Sequence, residues 1–229
     1  NLMAYKTRRQ NGLYAITLDE GDQLLYVLRS NGNDDIIVAT NRGISIRFTE
    51  NDVREMGRQA RGVRGIRMAE GDVVVGVTVV DDEKWLLTVT ENGLGKLSAF
   101  EEFTAHNRGG QGVRCHDITE KTGLLTGIAA VDEDNDLMMI TDQGTIIRTP
   151  ASDLSILSRT AGGVIVMRLP EGQYVANFTV VAKEEKDTSE ELDEVDTEAV
   201  EIELEAENEE DVISAEAADE PSEEPSDEV

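Results

Sequence analysis

The chain is short of the residues from which covalent and metal chemistry are built. Among 229 residues there are one cysteine, Cys115, and two histidines, His106 and His116. A lone thiol excludes an intramolecular disulfide, and no Cys/His grouping has the spacing of a zinc site, which fits a reducing cytoplasm. No apolar run approaches 18 residues and no signal peptide opens the sequence, so no membrane partner is expected. Asp132-Glu133-Asp134-Asn135-Asp136 lacks the central glycine and the distant glutamate of a calcium loop. Arg108-Gly109-Gly110-Gln111-Gly112 is followed by no Lys-Ser/Thr pair and is not a nucleotide P-loop. The carboxylate pairs Asp81-Asp82 and Glu101-Glu102 fall in predicted loops and read as solvated surface. No catalytic residue, metal ligand set or cofactor is therefore expected in this chain.

What is present divides into two chemically different parts. Residues 1–182 hold 19 Lys+Arg and 25 Asp+Glu, a net of −6, with ample Val, Ile and Leu for a core. Residues 183–229 hold 2 and 23, a net of −21, with no aromatics and scattered aliphatics. Self-repulsion and the want of a core-forming pattern predict a disordered acidic tail, with helix possible only around 200–210.

The first part is periodic. Gly12-Leu13, Gly62-Val63, Gly112-Val113 and Gly163-Val164 follow one another at intervals of 50, 50 and 51 residues. Four positions before each glycine stands an arginine: Arg8, Arg58, Arg108 and Arg159. Turn-like tripeptides recur as Asn41-Arg42-Gly43, Glu91-Asn92-Gly93 and Asp142-Gln143-Gly144. A fixed period of this length signals a repeat architecture.

One unit shows the plan. Residues 36–40 form a β-branched run, 41–43 a hairpin turn, and Ile44-Ser45-Ile46-Arg47-Phe48 alternates as a half-buried strand should. Residues 49–56 suit one capped helical turn, and 57–62 form a basic, glycine-bearing loop. A third strand is predicted over 63–68 and a fourth over 73–80. Four short strands per 50 residues predict an all-β, propeller-like array with blades at about 36–81, 86–132 and 137–182. Residues 1–30 read as the later half of another unit, with strands at 12–18 and 23–28. The chain begins within a repeat and reads as a piece of a longer protein, with a neighbouring strand edge supplied upstream.

The arginines are the candidate binding residues. Unit one is densest, with Arg54, Arg58, Arg61, Arg64 and Arg67, preceded by Arg42 and Arg47. Arg148 repeats the position of Arg47, whereas unit two has Leu97 there with Lys96 beside it. Equivalent loops on successive blades would set these cations along one rim, a curved track for the phosphates of double-stranded DNA. The opposing reading is that an arginine before a Gly-rich turn caps carbonyls or braces the neighbouring blade.

The stretch from Arg54 through Gly57-Arg58-Gln59-Ala60-Arg61-Gly62 to Arg67, followed by Glu70-Gly71-Asp72, resembles the C-terminal domain of gyrase A, the DNA-cleaving component of DNA gyrase. So do Arg8-Arg9-Gln10-Asn11-Gly12 and residues 137–145, and the resemblance covers all of 1–182. It implies a six-bladed β-pinwheel whose blades exchange strands and whose basic perimeter, Arg9 included, wraps DNA to support negative supercoiling. It also implies that catalysis belongs to the absent N-terminal part, and that the partners are a second gyrase A chain together with the gyrase B subunit, in an A2B2 enzyme. The location implied is the cytoplasm, at the nucleoid. The family's box, Q-R-R-G-G-x-G, is approached only by His106-Asn107-Arg108-Gly109-Gly110-Gln111-Gly112. That departure keeps the corresponding component of topoisomerase IV as a rival, and a protein-interaction propeller of the kelch or WD type is a second.

Overall fold

The computed structural model describes residues 2–8 and 10–183. Arg9 and the expected acidic tail beyond Lys183 lie outside the described residues. Eleven strands and four short 3-10 turns make up the regular structure, with no α-helix among the described residues. Each full unit opens with a hairpin: β1 (Asp35–Thr40) with β2 (Ile44–Thr49), β4 (Trp85–Thr90) with β5 (Leu94–Ala99), and β8 (Asn135–Thr141) with β9 (Ile146–Pro150). The inner hairpin strands are buried on both faces, with four consecutive buried residues in β1 and five each in β4 and β5, so Ile37, Leu87, Val89 and Leu97 are covered together with their sequence neighbours. A 3-10 turn follows each hairpin, at Glu50–Asp52, Phe100–Glu102 and Ala151–Asp153. In the first, the Thr49 hydroxyl accepts from the Asn51 amide, as its capping chemistry predicts.

The remaining strands are β3 (Val74–Val79), β6 (Val113–Arg114), β7 (Leu125–Val131), β10 (Val164–Ile165) and β11 (Val175–Ala182). The sheets run β3-β1-β2-β6, β10-β5-β4-β7 and β11-β8-β9. Thus β6, encoded in unit two, completes the sheet of unit one, with Ile44 opposite Arg114 and Ser45 opposite Val113. Likewise β10, from unit three, completes the sheet of unit two. The blades exchange strands, and the third sheet keeps three.

This exchange corrects three expectations. Residues 12–18, 23–28 and 63–68 carry strand-like patterns but form no strand. Residues 13–14 and 63–64 occupy the repeat position of β6 and β10, which pair with the preceding unit's hairpin, and 24–29 that of β3 and β7, which pair with their own; among the described residues no hairpin precedes β1. Without a partner ladder, a period-2 pattern has nowhere to place its backbone hydrogen bonds.

The strands β3, β7 and β11 pack side by side where glycine permits it. A Cβ on Gly76 of β3 would come within 2.9 Å of the Ile128 amide nitrogen on β7, and one on Gly127 within 2.9 Å of the Phe178 ring on β11. One core cluster centres on Leu87, Val89, Leu97, Leu137 and Met139, another on Ile37, Leu86, Phe100, Phe103 and Leu125. Each cluster spans two units, so the hydrophobic burial that stabilises one blade belongs partly to its neighbour. The donated strands lie at the opposite edge of their sheets from β3 and β7, and the arginine loops lead into them.

Candidate nucleic-acid interface

The loop arginines share one geometry. Arg58 Nη1 donates to the carbonyl of Tyr14 at 3.3 Å, Arg108 Nη1 to that of Arg64, and Arg159 Nη1 to that of Arg114 at 2.7 Å. Tyr14, Arg64 and Arg114 are themselves at one repeat position. Each arginine therefore reaches back one unit to the carbonyl of the residue at or equivalent to the donated strand, forming a ladder of rungs between units. Such a contact uses one of five guanidinium N–H groups and leaves the others for further acceptors.

The loop carrying Arg108 needs its glycines to lie this close. Gly109 donates to the Gly65 carbonyl at 2.7 Å, and at Gly112 (φ +74°) a Cβ would stand 2.4 Å from the Ser45 carbonyl oxygen. Arg64 and Arg114, whose carbonyls the rungs take, are exposed. Arginines from successive units are thereby set beside the arginine or tyrosine of the preceding one, which concentrates cations at these junctions in a body whose net charge is negative.

Other candidates divide by partner. Arg47 is held from three sides: Nε donates to Asp35 Oδ2 at 2.7 Å, and Nη1 to the carbonyls of Phe100 and Phe103 at 3.1 and 3.4 Å. Arg148 repeats it, donating to Asp136 at 2.7 Å and to the Ala182 carbonyl at 2.9 Å. Arg47 thus braces within and between blades, and Arg148 braces within unit three. Unit two puts Trp85 and Leu97 at these two positions, an apolar solution to the same junction. Arg42 pairs with Asp72 at 2.7 Å, and Arg61 with Asp19 at 3.1 Å, both with more than half of the arginine side chain in solvent. Arg8, Arg54 and Arg67 are exposed.

Lys96 is not at a rim. It is 0% exposed on β5, and its Nζ donates to the Ser158 carbonyl at 2.6 Å. Burial pushes its ammonium down to about 8. Around it lies a polar cluster: Thr88, Ser98, Cys115 and His116 are all buried. His116 Nε2 lies 3.1 Å from the Gly162 carbonyl, which only accepts, so that nitrogen carries the proton and Nδ1 accepts from Thr88 at 2.9 Å. Burial holds His116 down at about 4, a neutral ring, and raises the Cys115 thiol to about 11. Ser98 donates to the Leu157 carbonyl at 2.8 Å. Lys96, Ser98 and His116 together pin the loop 155–163, which carries Arg159.

Sequence reasoning passed over Arg114 and Arg168, both exposed. The signal was available, since they occupy the repeat positions of Arg64 and Arg67. Arg114 is shared with Asp117 at 2.9 Å.

A family model described as the DNA gyrase C-terminal domain, beta-propeller, matches residues 34–81, 84–132 and 135–182. The chain belongs to the DNA gyrase C-terminal domain family. The match falls on the three strand-exchanging units and leaves aside the segment in which no strand forms. The gyrase A protein of Aminobacterium colombiense is 41% identical over 174 residues, covering 76% of this chain and 21% of that protein. Gyrase A of Escherichia coli K12 is 40% identical over 200 residues, covering 87% of this chain and 23% of that protein. The chain thus spans about a fifth of the length of these gyrase relatives. Among solved structures, a gyrase A C-terminal domain aligns with TM-score 0.65 at 25% identity, over 75% of this chain and 58% of that one. The C-terminal domain of a DNA topoisomerase IV aligns with TM-score 0.74 at 24% identity, over 81% and 58%, a likeness of fold.

Proposed function

We propose that this chain binds duplex DNA along its arginine-bearing outer edge without reading sequence, and serves as the DNA-wrapping module of a gyrase A protein. The observation that carries the reading is the recurrence of the arginine ladder in a family whose relatives are gyrase A proteins. Each rung sets an arginine of one unit against the backbone of the preceding one, so cations succeed one another at blade spacing along one edge. No α-helix is available among the described residues to enter a groove, and phosphate contacts position a duplex without reading its sequence. Bending DNA around such an edge is the role this chain would contribute to negative supercoiling. Strand cleavage and ATP hydrolysis would then belong to the rest of an A2B2 enzyme, formed in the cytoplasm with gyrase B and a second copy of gyrase A.

The experiment is a salt titration of binding to mixed-sequence duplex. Log affinity should fall linearly with log salt, with a slope of about −0.9 for each phosphate neutralised. A salt-independent affinity, or a strong preference for one short sequence, would show that the edge is not a phosphate track. Arg54, Arg64 and Arg67, exposed in unit one, are the substitutions expected to lower both affinity and slope.

A further inference from the structure

Lys96 stands where unit one has Ile46 and unit three has Ile147. Its neighbours follow suit: Thr88 replaces Val38 and Met139, and His116 replaces Ile66 and Met167. One blade has thus exchanged an apolar core for a polar cluster centred on a cation. Burying an ammonium is unfavourable unless something uses its charge. Among the described residues no carboxylate forms an ion pair with Nζ, and its hydrogen-bond acceptor is a carbonyl, that of Ser158. The next residue along is Arg159, the rung arginine of unit three.

We propose that Lys96 is an interior cation of a phosphate site formed around Arg159, so that binding of a DNA phosphate there is coupled to proton binding at Lys96. This rests on the DNA-binding reading and deepens it. The amine reaches the loop through Ser158, and the next residue, Arg159, is half-buried with Nη1 on the Arg114 carbonyl and its amide on the Glu102 carboxylate at 2.8 Å, so an anion at Arg159 meets two positive charges from two units and competes with that carboxylate. The exclusion of solvent around Lys96 screens its charge less than that of an exposed lysine.

The groups that face Lys96 decide which proton moves. Cys115 and His116 come from the segment after β6, Glu102 from the 3-10 turn after β5, Asp117 from the following turn, and Arg159 from the loop. The thiol, held near 11, and the imidazole, held near 4, do not titrate around neutrality. Lys96, at about 8, does. Burial and Arg159 disfavour its charged form while Glu102 and Asp117 favour it; a phosphate brought beside Arg159 adds to the carboxylates' side and raises the affinity of Lys96 for its proton. By linkage, DNA then binds more tightly on the acid side of 8 than on the alkaline side, and above 8 each binding event takes up part of a proton.

The test is calorimetry of the intact chain with mixed-sequence duplex at low salt, near pH 8, in buffers of different ionisation enthalpy. The wild-type chain should take up a fraction of a proton per DNA-bound molecule, and its affinity should fall a few-fold from about a unit below to about a unit above 8. Lys96→Met should remove both effects while Arg54→Ala, which weakens binding, keeps the proton uptake. Lys96→Ile, which copies Ile46 and Ile147, serves as a second variant should Met disturb the core. Equal proton uptake in the wild type and both variants, or binding with no uptake in the wild type, would overturn the coupling and leave the DNA reading intact. No DNA binding by the wild type at low salt would overturn both.

Discussion

Arg159 and Arg114 are joined by a 2.7 Å hydrogen bond from guanidinium to carbonyl, and this bond ties unit three to the strand that unit two has donated to unit one. Arg108 and Arg64 make the same bond one unit earlier. Under the proposed function each loop arginine braces with one nitrogen and offers its remaining exposed N–H groups to phosphate, the buried Nε of Arg108 excepted. Arg159→Ala and Arg108→Ala should therefore lower both stability and DNA affinity. A charged donor on a partly exposed carbonyl is worth about 1–2 kcal/mol. Arg54→Ala, at an exposed position, should stay within about 0.5 kcal/mol while still weakening binding. Chemical denaturation of the three variants beside their DNA titrations separates the roles; equal, negligible losses of stability would remove the ladder.

Arg47 should behave oppositely. Its side chain is only 18% exposed, and its acceptors are Asp35 and two carbonyls of the next unit. Arg47→Leu leaves Asp35 half-buried without its partner, a loss of about 2–4 kcal/mol for a pair in this position. Asp35→Leu/Arg47→Leu should recover most of it, since unit two already holds Trp85 and Leu97 at the same positions. DNA affinity per folded molecule should be unchanged in both. A selective loss of binding in the double variant would make Arg47 a phosphate contact.

Lys96→Ile should stabilise the chain at neutral pH, by about 1–3 kcal/mol, because a buried charge is replaced by the residue its sister units use. The pH dependence has a definite sign. The folded amine titrates near 8 and an ordinary lysine ammonium at 10.5, so the unfolded chain binds more protons between those values. Wild-type stability should rise with pH across that window, and the advantage of the variant should shrink. Denaturant midpoints on both sides of the window measure it; an advantage that is constant with pH would mean that Lys96 binds its proton equally in the folded and unfolded chain and that burial does not shift it.

Two hairpin glycines share a positive φ and differ in what covers them. At Gly93 (φ +75°) a Cβ would meet the Met167 carbonyl oxygen at 2.2 Å, whereas at Gly144 (φ +85°) nothing lies within 4 Å. Gly144→Ala should cost only the strain of the left-handed conformation, on the order of 1–2 kcal/mol. Gly93→Ala must also push away the segment after β10 and should cost several kcal/mol more or prevent folding. Comparable thermal shifts for the two would mean that the exchanged strand is not docked as described.

The repeat, its period and the hairpins are legible in the sequence because local patterning and turn chemistry specify them. The ownership of the strands was not. Val63-Arg64 and Val113-Arg114 carry the same pattern, and only a hairpin one unit upstream turns the second into a strand. Arg47 and Arg148 stood out by recurrence, but recurrence marks a shared environment whether the partner is a phosphate or an aspartate. Lys96 reads from the sequence as a rim cation because it sits beside Leu97, which holds the repeat position of Arg47 and Arg148. Its burial comes from the loop at 155–158, about 60 residues away and invisible to a local pattern. Tertiary context overrode the local one in each case.

Strand exchange also sets a schedule for the ribosome. β2 is complete when Thr49 emerges, but the strand that covers its edge is not translated until Val113 and Arg114. At roughly 5–20 residues per second, the nascent blade presents an open edge for several seconds. During that interval the edge can accept any extended chain nearby, including the like-patterned strand of another nascent copy on the same message. Slow codons between Thr49 and Val113 would lengthen that exposure, and a chaperone that recognises extended backbone would find its substrate there.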